Sequence, residues 1–210
     1  MSKGLFITFE GGEGAGKSTQ VRRLADRLKI AGRRVIMSRE PGGSPGGEAI
    51  RDLLVRGDTD RWSPMTEALL MNAARRDHIE RVIRPALDAG DIVISDRFAD
   101  STRAYQGAGG EADPEFIAAL ERYVVGDTRP DMTIILDLPV ETGLRRALSR
   151  GGAEARFEAK GEAFHERLRK GFLDIAAAEP DRCIVIHADQ TPDAIEEAIW
   201  RSVSELLADA

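Results

Sequence analysis

The distribution of apolar positions along the chain predicts alternating strands and helices. Five short runs are largely apolar, as is typical of strands that are buried on both faces of a parallel sheet. They lie near Leu5–Glu10, Arg34–Ser38, Ile92–Ser95, Met132–Leu138 and Cys183–His187. Helical patterns fall near Lys17–Ala31, Pro45–Arg56, Thr66–Ala89, Pro114–Val125, Val140–Arg150, Gly161–Ala178 and Pro192–Leu207. This alternation predicts an α/β fold, a five-stranded parallel sheet flanked by helices on both faces.

The first strand leads directly into a glycine-rich segment. Residues 11–18 read GGEGAGKS, which fits the phosphate-loop pattern G-x-x-x-x-G-K-[ST] between a strand and a helix. Glycines let backbone N–H groups point inward at phosphate oxygens, at the positive end of the following helix. We therefore expect a P-loop NTPase fold, with Lys17 reaching the β- and γ-phosphates of a nucleotide and the Ser18 hydroxyl binding Mg²⁺.

Composition narrows the class of protein. The 210 residues suit one domain, and a hydrophobic content of 42% supports an ordinary globular core. The formal net charge of −6 argues against duplex nucleic acid as a partner. We expect no membrane span and no signal peptide, because no apolar run is long enough and Met1–Gly4 leads straight into a strand. With a single cysteine, Cys183, which is expected to be buried, the sequence predicts a soluble cytoplasmic protein.

Polar residues follow the second and third strands, where the carboxyl ends of a doubly wound sheet open onto a ligand crevice. Arg39–Gly43 reads REPGG, and the third strand runs into Asp96 and Arg97. Asp96 is placed to hold Mg²⁺, through water, and Arg97 offers a bidentate fork for phosphate. An exposed ion pair without a ligand is the alternative for these two residues.

Arginines gather near the same crevice and around a short loop. Those expected near the crevice are Arg51, Arg75 and Arg97. Those beside the small, polar segment Gly151–Ala155, a candidate lid, are Arg145, Arg146, Arg150 and Arg156. Positive charge of this kind suits phosphoryl transfer, in which negative charge develops on the oxygens of the transferred group. For Arg145 and Arg146 a solvated helix face is an equally good interpretation.

The whole chain resembles the thymidylate (dTMP) kinases of bacteria. The segments that carry the resemblance are FEGGEGAGKST at 9–19, REPGG at 39–43, EALLMNAARRDH at 67–78, SDRFADSTRAYQG at 95–107 and DTRPDMTIILDLP at 127–139. The phosphate loop occurs in many folds, whereas REPGG together with the DRF…STRAYQG stretch is more specific. The resemblance implies that a homodimeric enzyme transfers a phosphoryl group from ATP to dTMP with Mg²⁺, by in-line transfer with closure of a lid.

The resemblance also implies a role for individual residues. ATP is expected on Gly11, Gly12, Glu13, Gly14, Ala15, Gly16, Lys17, Ser18 and Thr19. The residues expected at dTMP are Glu13, Pro41, Arg51, Met71, Arg75, Arg97, Ser101, Thr102, Tyr105 and Gln106. Glu13 would accept a hydrogen bond from the sugar 3′-hydroxyl, and Tyr105 would crowd a ribose 2′-hydroxyl. Two alternatives stay open: Glu13 as a surface carboxylate at a helix N-terminus, and Met71 as core packing rather than a contact to the base.

Members of this family differ in the location of a catalytic arginine. Some carry it inside the phosphate loop, where this chain has Gly14, so the resemblance implies that a lid around residues 149–160 supplies it. The residues expected to be catalytic are Lys17, Arg97, Arg150 and Arg156, with the last two as alternatives to each other. The residues expected at the metal are Ser18 and Asp96. Met71 stands where the family commonly places a phenylalanine against thymine.

The remaining features do not point to other chemistry. The three histidines lack metal-ligand spacing; His78 and His165 are expected on helix surfaces, and His187 at the end of the last strand. Two rival functions remain open, a kinase for another nucleoside monophosphate or a deoxynucleoside, and a nucleotide-dependent switch. The switch would need a guanine-selective N/T-K-x-D segment, which the sequence lacks.

Overall fold

Five parallel strands form the central sheet. They are β1 (Leu5–Glu10), β2 (Val35–Arg39), β3 (Ile92–Asp96), β4 (Met132–Asp137) and β5 (Cys183–His187). Their order across the sheet is β2-β3-β1-β4-β5. The computed structural model describes residues 4–58, 60–150, 157 and 160–208. The predicted parallel sheet is confirmed, and each predicted strand end lies within one residue of the observed one.

Helices connect the strands. They are α1 (Lys17–Ile30), α2 (Pro45–Val55), α3 (Pro64–His78), α4 (Arg84–Asp88), α5 (Ala99–Thr102), α6 (Pro114–Val124), α7 (Val140–Arg150), α8 (Glu162–Ala178) and α9 (Pro192–Ala208). Serine side chains cap two of them, since Ser44 Oγ accepts a hydrogen bond from the Gly47 N–H and Ser63 Oγ from the Thr66 N–H. None of the helices described is long and apolar enough to cross a membrane.

The helix predicted near Thr66–Ala89 has a different form in the structure. It begins at Pro64 and widens into a π-helical segment, Ile79–Ile83, before it continues as α4. Pro85 has no N–H to donate to the carbonyl of Arg81, so a regular α-helical bond is lost at this point. The wider turn just before the proline absorbs that defect.

A second helical segment was absent from the sequence prediction. Directly after β3 the chain forms α5 and then a π-helical segment, Arg103–Gly109. Gly107 and Gly109 weaken helix propensity there, and the segment is too short to show a clear apolar period. It nevertheless matters for the site, because it carries Ser101, Thr102 and Tyr105 at the carboxyl end of the sheet.

Neighbouring residues of one strand pack into different layers. Ile7 belongs to a cluster with Leu24 of α1 and Ile199 of α9, whereas Phe6 packs with Phe98 and other residues on the opposite face. Both faces of the sheet are therefore covered by apolar side chains, as predicted.

The register of the sheet brings the ends of β1, β2 and β3 together. Phe9 lies opposite Asp96, and Arg39 lies opposite Asp96 on the other side. The residues that follow these strands therefore meet at one edge of the sheet. At the far strand, Cys183 is buried as predicted, and burial raises the pKa of its thiol to about 11, so it stays protonated at neutral pH.

Candidate active site

The phosphate loop joins β1 to α1 and wraps around the amine of Lys17. Lys17 Nζ donates hydrogen bonds to the carbonyl oxygens of Gly11 at 2.9 Å and Gly12 at 2.7 Å. Burial, followed by repulsion from Arg97, lowers the pKa of Lys17 to about 8. The ammonium thus lies within the loop, where phosphate oxygens would supply the missing negative charge.

Two glycines let the loop approach α7 closely. Gly14 has a φ of +70°, and a Cβ added there would lie 2.1 Å from the carbonyl oxygen of Gly143. A Cβ on Gly143 would in turn lie 2.5 Å from the carbonyl oxygen of Glu13. The backbones of the loop and of α7 are therefore packed against each other with no space for a side chain.

The two residues expected at the metal are in contact. Ser18 Oγ donates a hydrogen bond of 2.6 Å to Asp96 Oδ2. Both side chains offer oxygen ligands, and among the described residues no group of three or more His, Cys, Asp or Glu side chains gathers elsewhere as a metal cage. Such a sparse oxygen site fits Mg²⁺, which keeps several waters and binds substrate phosphates.

Arg97 is held in a conformation that residues other than glycine rarely adopt. Its φ is +72°, a conformation that costs about 1–3 kcal/mol and persists only where the surroundings impose it. Here they do, because Arg97 Nη1 donates to the carbonyl oxygen of Gly11 at 3.0 Å and to Ser101 Oγ at 3.2 Å. Its guanidinium lies 4.8 Å from the ring centre of Tyr105. The strained backbone therefore directs a half-buried positive charge to the crevice.

The side chain of Glu13 is only 10% exposed, which rules out the surface interpretation. Tyr105 donates a hydrogen bond of 2.5 Å to its Oε1, and His165 Nδ1 lies 3.4 Å from its Oε2. Burial opposes ionisation, but the nearby imidazole of His165 and the charges of Arg97 and Lys17 outweigh it and hold the pKa of Glu13 at about 2. Glu13 is therefore an acceptor of hydrogen bonds throughout the neutral pH range.

A crevice of about 380 Å³ runs from the phosphate loop to the helical segment after β3. All ten residues expected at dTMP line it, as do Asp96 and the loop residues from Glu13 to Ser18. Gly11 and Gly12 line a smaller cavity behind the loop instead, and Thr19 lines neither. Met71 faces this crevice, so core packing alone does not account for it.

Arg51 and Arg75 reach the crevice from α2 and α3. Arg51 Nη1 donates to the carbonyl oxygen of Pro41 at 2.6 Å. Arg75 is only 2% exposed and donates from Nε to Glu40 at 2.7 Å and from Nη2 to Thr102 at 3.1 Å. Arg75 is thus a fixed part of the crevice wall.

The candidate lid lies mostly outside the described residues. This applies to Gly151–Ala155, to Arg156 and to the side chain of Arg150, which ends α7. Arg146 donates to Asp189 at 3.0 Å, and Arg145 lies on an exposed face. The described Phe157 lines the crevice and packs edge-on against Tyr105, with ring centres 5.6 Å apart.

The prediction that His78 and His165 lie on helix surfaces is wrong. His78 is fully buried and bonded to Glu40 and Ser38, and His165 is buried beside Glu13. A polar residue on the inward face of a helix leaves no apolar period, which is why the pattern failed to mark it. The available signal was the spacing of three residues from Arg75 to His78, which puts both on one helix face. His187 ends β5 as predicted.

Glu10 is a further residue that sequence reasoning missed. It is fully buried at the end of β1 and accepts hydrogen bonds from the backbone N–H groups of Phe98 and Ser101 and from the Ser101 hydroxyl. These bonds hold the turn that contains Arg97. The FEGG sequence contains the glutamate, but nothing in its spacing shows that the carboxylate reaches across to the next strand.

With a phosphate loop at one end of an arginine-lined crevice, the protein falls in the class of P-loop phosphotransferases. A family model described as thymidylate kinase matches residues 9–199. The chain therefore belongs to the thymidylate kinase family and is a kinase.

Individual relatives agree with this assignment along the whole chain. A thymidylate kinase from Caulobacter vibrioides is 70% identical over 207 residues, which is 99% of either chain. One from Bradyrhizobium diazoefficiens is 52% identical over 98% of this chain and 91% of the relative. The crystal structure of thymidylate kinase from Ehrlichia chaffeensis is similar with a TM-score of 0.77 and 35% identity, covering 96% of this chain and 99% of that one.

Proposed function

We propose that the protein transfers the γ-phosphoryl group of ATP to dTMP, giving ADP and dTDP, with Mg²⁺ as the metal. The observation that carries this proposal is the single crevice that joins the phosphate loop to Arg51, Arg75 and Arg97. Phosphoryl transfer needs a donor and an acceptor phosphate held in line, and little covalent help from the protein. A crevice with cationic groups at both ends is suited to hold two phosphates facing each other.

The donor end is formed by the phosphate loop. Its N–H groups and Lys17 bind the phosphates of ATP, and residues 11–19 enclose them. Ser18 and Asp96 would hold Mg²⁺, which would supply positive charge next to the phosphates of ATP. Lys17 stabilises the charge that develops on the transferred group.

The acceptor end binds the monophosphate and its sugar. Arg97 and Arg51 bind the phosphate of dTMP, with Ser101 beside them. Glu13 accepts a hydrogen bond from the 3′-hydroxyl, because its low pKa keeps the carboxylate ionised at neutral pH. The Tyr105 ring lies close to this carboxylate, so it crowds the position of a 2′-hydroxyl and favours deoxyribose.

The base lies deeper in the crevice. Pro41 and Met71 pack against it, and Thr102 and Gln106 offer polar groups at its edge. Arg75 has five N–H donors, of which four are bonded to described residues. We propose that the remaining N–H, on Nη1, donates to a carbonyl oxygen of thymine.

We propose one domain, 1–210, with a lid around 149–160 that brings Arg150 or Arg156 to the transferring phosphoryl group and excludes water. We also propose, from the sequence, that the protein acts in the cytoplasm.

We also propose that two copies of the chain pair, as the resemblance implies. Leu53 of α2 and Met65 and Leu69 of α3 are large apolar side chains that are 41–50% exposed on two helices packed together. Light scattering should give a mass near twice 22.9 kDa. Leu69→Glu should halve it, whereas Ile30→Glu, at an exposed site on α1, should not; a monomeric wild type would refute pairing.

The decisive experiment is a coupled assay of ADP release with ATP, Mg²⁺ and each nucleoside monophosphate in turn. Strong turnover with dTMP that falls by at least about 100-fold in Lys17→Ala is the expected result. Comparable turnover with several acceptors would support kinase activity but contradict selectivity for dTMP. ADP release that needs no acceptor would overturn the proposal.

A further inference from the structure

A chain of hydrogen bonds connects β2 to the crevice through the interior. Ser38 Oγ and His78 Nε2 are 2.6 Å apart, and His78 Nδ1 and Glu40 Oε1 are 2.9 Å apart. Arg75 Nε donates to the other carboxylate oxygen, Glu40 Oε2, at 2.7 Å. The order is therefore Ser38, His78, Glu40, Arg75, and the last of these faces the crevice.

The direction of each bond follows from the chemistry of the groups. A carboxylate only accepts, so His78 donates from Nδ1 to Glu40, and in a neutral imidazole Nε2 then accepts the Ser38 hydroxyl hydrogen. Both oxygens of Glu40 receive one donor, and both nitrogens of His78 are bonded. The chain is complete, with His78 and Arg75 shielded from solvent.

The REPGG segment is shaped to leave room for this chain. Gly43 has a φ of +77°, and a Cβ added there would lie 2.3 Å from Ser38 Oγ and 2.6 Å from His78 Nε2. The turn therefore passes directly over the Ser38–His78 bond, where only glycine fits.

This series of hydrogen bonds helps to fix the guanidinium plane of Arg75. Nε is held by Glu40, Nη1 by Asn72 Oδ1 at 3.1 Å, and Nη2 by Phe98 O at 3.0 Å and Thr102 Oγ1 at 3.1 Å. Because a guanidinium is planar, the bond from Nε to Glu40 contributes to the direction of the remaining N–H of Nη1 as well. The orientation of that donor depends on the carboxylate, and the orientation of the carboxylate depends on His78.

We propose that His78, supported by Ser38, is a positioning residue that acts through Glu40 and Arg75 and sets the selectivity for a base with a carbonyl oxygen at the edge that Arg75 reads. This rests on the proposed function, in which Arg75 donates to thymine. A fixed donor favours an acceptor oxygen and disfavours an amino group at the same position, because two donors would face each other.

The test compares dTMP with 5-methyl-dCMP, which differ only at that edge of the ring. In His78→Asn the side-chain amide N–H lies near the position of Nδ1 of the histidine, so it can still donate to Glu40. In His78→Gln it lies near the position of Nε2, so the bond to Glu40 is lost. We expect His78→Gln to lower the ratio of kcat/KM for dTMP over 5-methyl-dCMP by about tenfold. His78→Asn keeps the bond to Glu40 and gives up only the bond to Ser38, so it should lower the ratio by no more than about threefold. The KM for ATP should stay unchanged in both.

Two further variants make every outcome decisive. Ser38→Ala removes only the outermost bond and should lower the ratio by about threefold; it decides the question if His78→Gln does not fold. Arg76→Gln, at the exposed neighbour of Arg75, is the matched control and should leave the ratio unchanged. An unchanged ratio in folded His78→Gln, or in Ser38→Ala where His78→Gln does not fold, would overturn the inference.

Arg75→Lys separates the inference from the proposed function. If this variant keeps the wild-type ratio, Arg75 does not read the base, and the proposed role of Arg75 fails together with the inference. If the ratio of kcat/KM for dTMP over 5-methyl-dCMP falls in Arg75→Lys but is unchanged in folded His78→Gln, only the role of His78 fails. Loss in both variants, with retention in His78→Asn, is the result that supports the positioning role.

Discussion

The Tyr105 hydroxyl donates a hydrogen bond to Oε1 of Glu13, and this bond joins the helical segment after β3 to the phosphate loop. Glu13 belongs to the phosphate loop, whose backbone forms the proposed donor site, although its side chain points to the proposed acceptor site, where Tyr105 lies. Arg97 lies against both, 3.7 Å from the Glu13 carboxylate and 4.8 Å from the Tyr105 ring centre. Binding of the sugar is therefore coupled to the shape of the loop.

Tyr105→Phe tests this coupling. It removes the hydroxyl and keeps the ring, so the KM for dTMP should rise by about tenfold or more, because a hydrogen bond to a charged group contributes about 1.5–3 kcal/mol. The preference for deoxyribose should persist, because the ring still occupies the same space. Tyr105→Ala should instead improve the relative kcat/KM for ribothymidine monophosphate. Steady-state kinetics with both acceptors measure the difference, and equal effects of the two variants would contradict it.

Asp96→Asn tests the metal site. The amide keeps the size of the side chain but loses its charge, so the Mg²⁺ concentration for half-maximal activity should rise by about tenfold. Binding of dTMP without metal, measured by calorimetry, should change little. Asp26→Asn, on an exposed part of α1, is the control. A Mg²⁺ titration curve that coincides with wild type would remove Asp96 from the site.

Met71→Phe tests contact with the base. A rigid ring should pack better against the 5-methyl group than a flexible thioether does, so the ratio of kcat/KM for dTMP over dUMP should rise by about two- to fivefold. An unchanged ratio would leave Met71 without a role in selectivity.

Arg150→Ala and Arg156→Ala test the source of the catalytic positive charge. One of them should lower kcat by about 10³-fold or more with little effect on the KM for dTMP, as expected for charge supplied only in the transition state. Arg145→Ala is the control and should keep kcat within about twofold. Wild-type kcat in both test variants would refute the proposed lid arginine.

The stability of the protein should depend on the ionisation of Glu10. Burial, with a contribution from the charge of Asp100, raises the pKa of Glu10 from 4.5 to about 7. The folded protein thus binds this proton more tightly than the unfolded chain does. Protonated Glu10 therefore makes its whole contribution to the free energy of unfolding below pH 4.5, and this contribution is lost as the pH rises toward 7.

Glu10→Gln removes this titration and keeps the shape of the side chain. The free energy of unfolding of wild type minus that of the variant should fall by about 1 kcal/mol per pH unit between pH 5 and 7. Urea titrations at several pH values measure it, with Glu141→Gln at an exposed position as the control. A difference that is independent of pH would show that Glu10 titrates near its ordinary pKa.

The sequence predicted the sheet because each strand is a compact apolar run that ends close to a glycine or a polar turn. It predicted the phosphate loop for a similar reason, since the positions of Lys17 and Ser18 are fixed by a short local pattern. The resemblance supplied residues that are distant in sequence, such as Met71 and Tyr105, and the structure brings them to one crevice.

The features that the sequence did not predict depend on contacts between residues that are far apart along the chain. Glu40 and His78 are 38 positions apart, and neither has an apolar pattern that marks its burial. The helical segment after β3 was missed because its support comes from Glu10 and from packing on α8 rather than from its own propensities.

The close contact between Gly14 and Gly143 restricts how this enzyme can change in evolution. An arginine at residue 14, which the resemblance implies for some members of the family, would need a Cβ where the carbonyl oxygen of Gly143 lies. No replacement of the Gly143 side chain would relieve that clash, because the obstacle is main chain. In this chain a substitution at residue 14 alone is therefore not enough to place an arginine there. The main chain of α7 would have to shift as well.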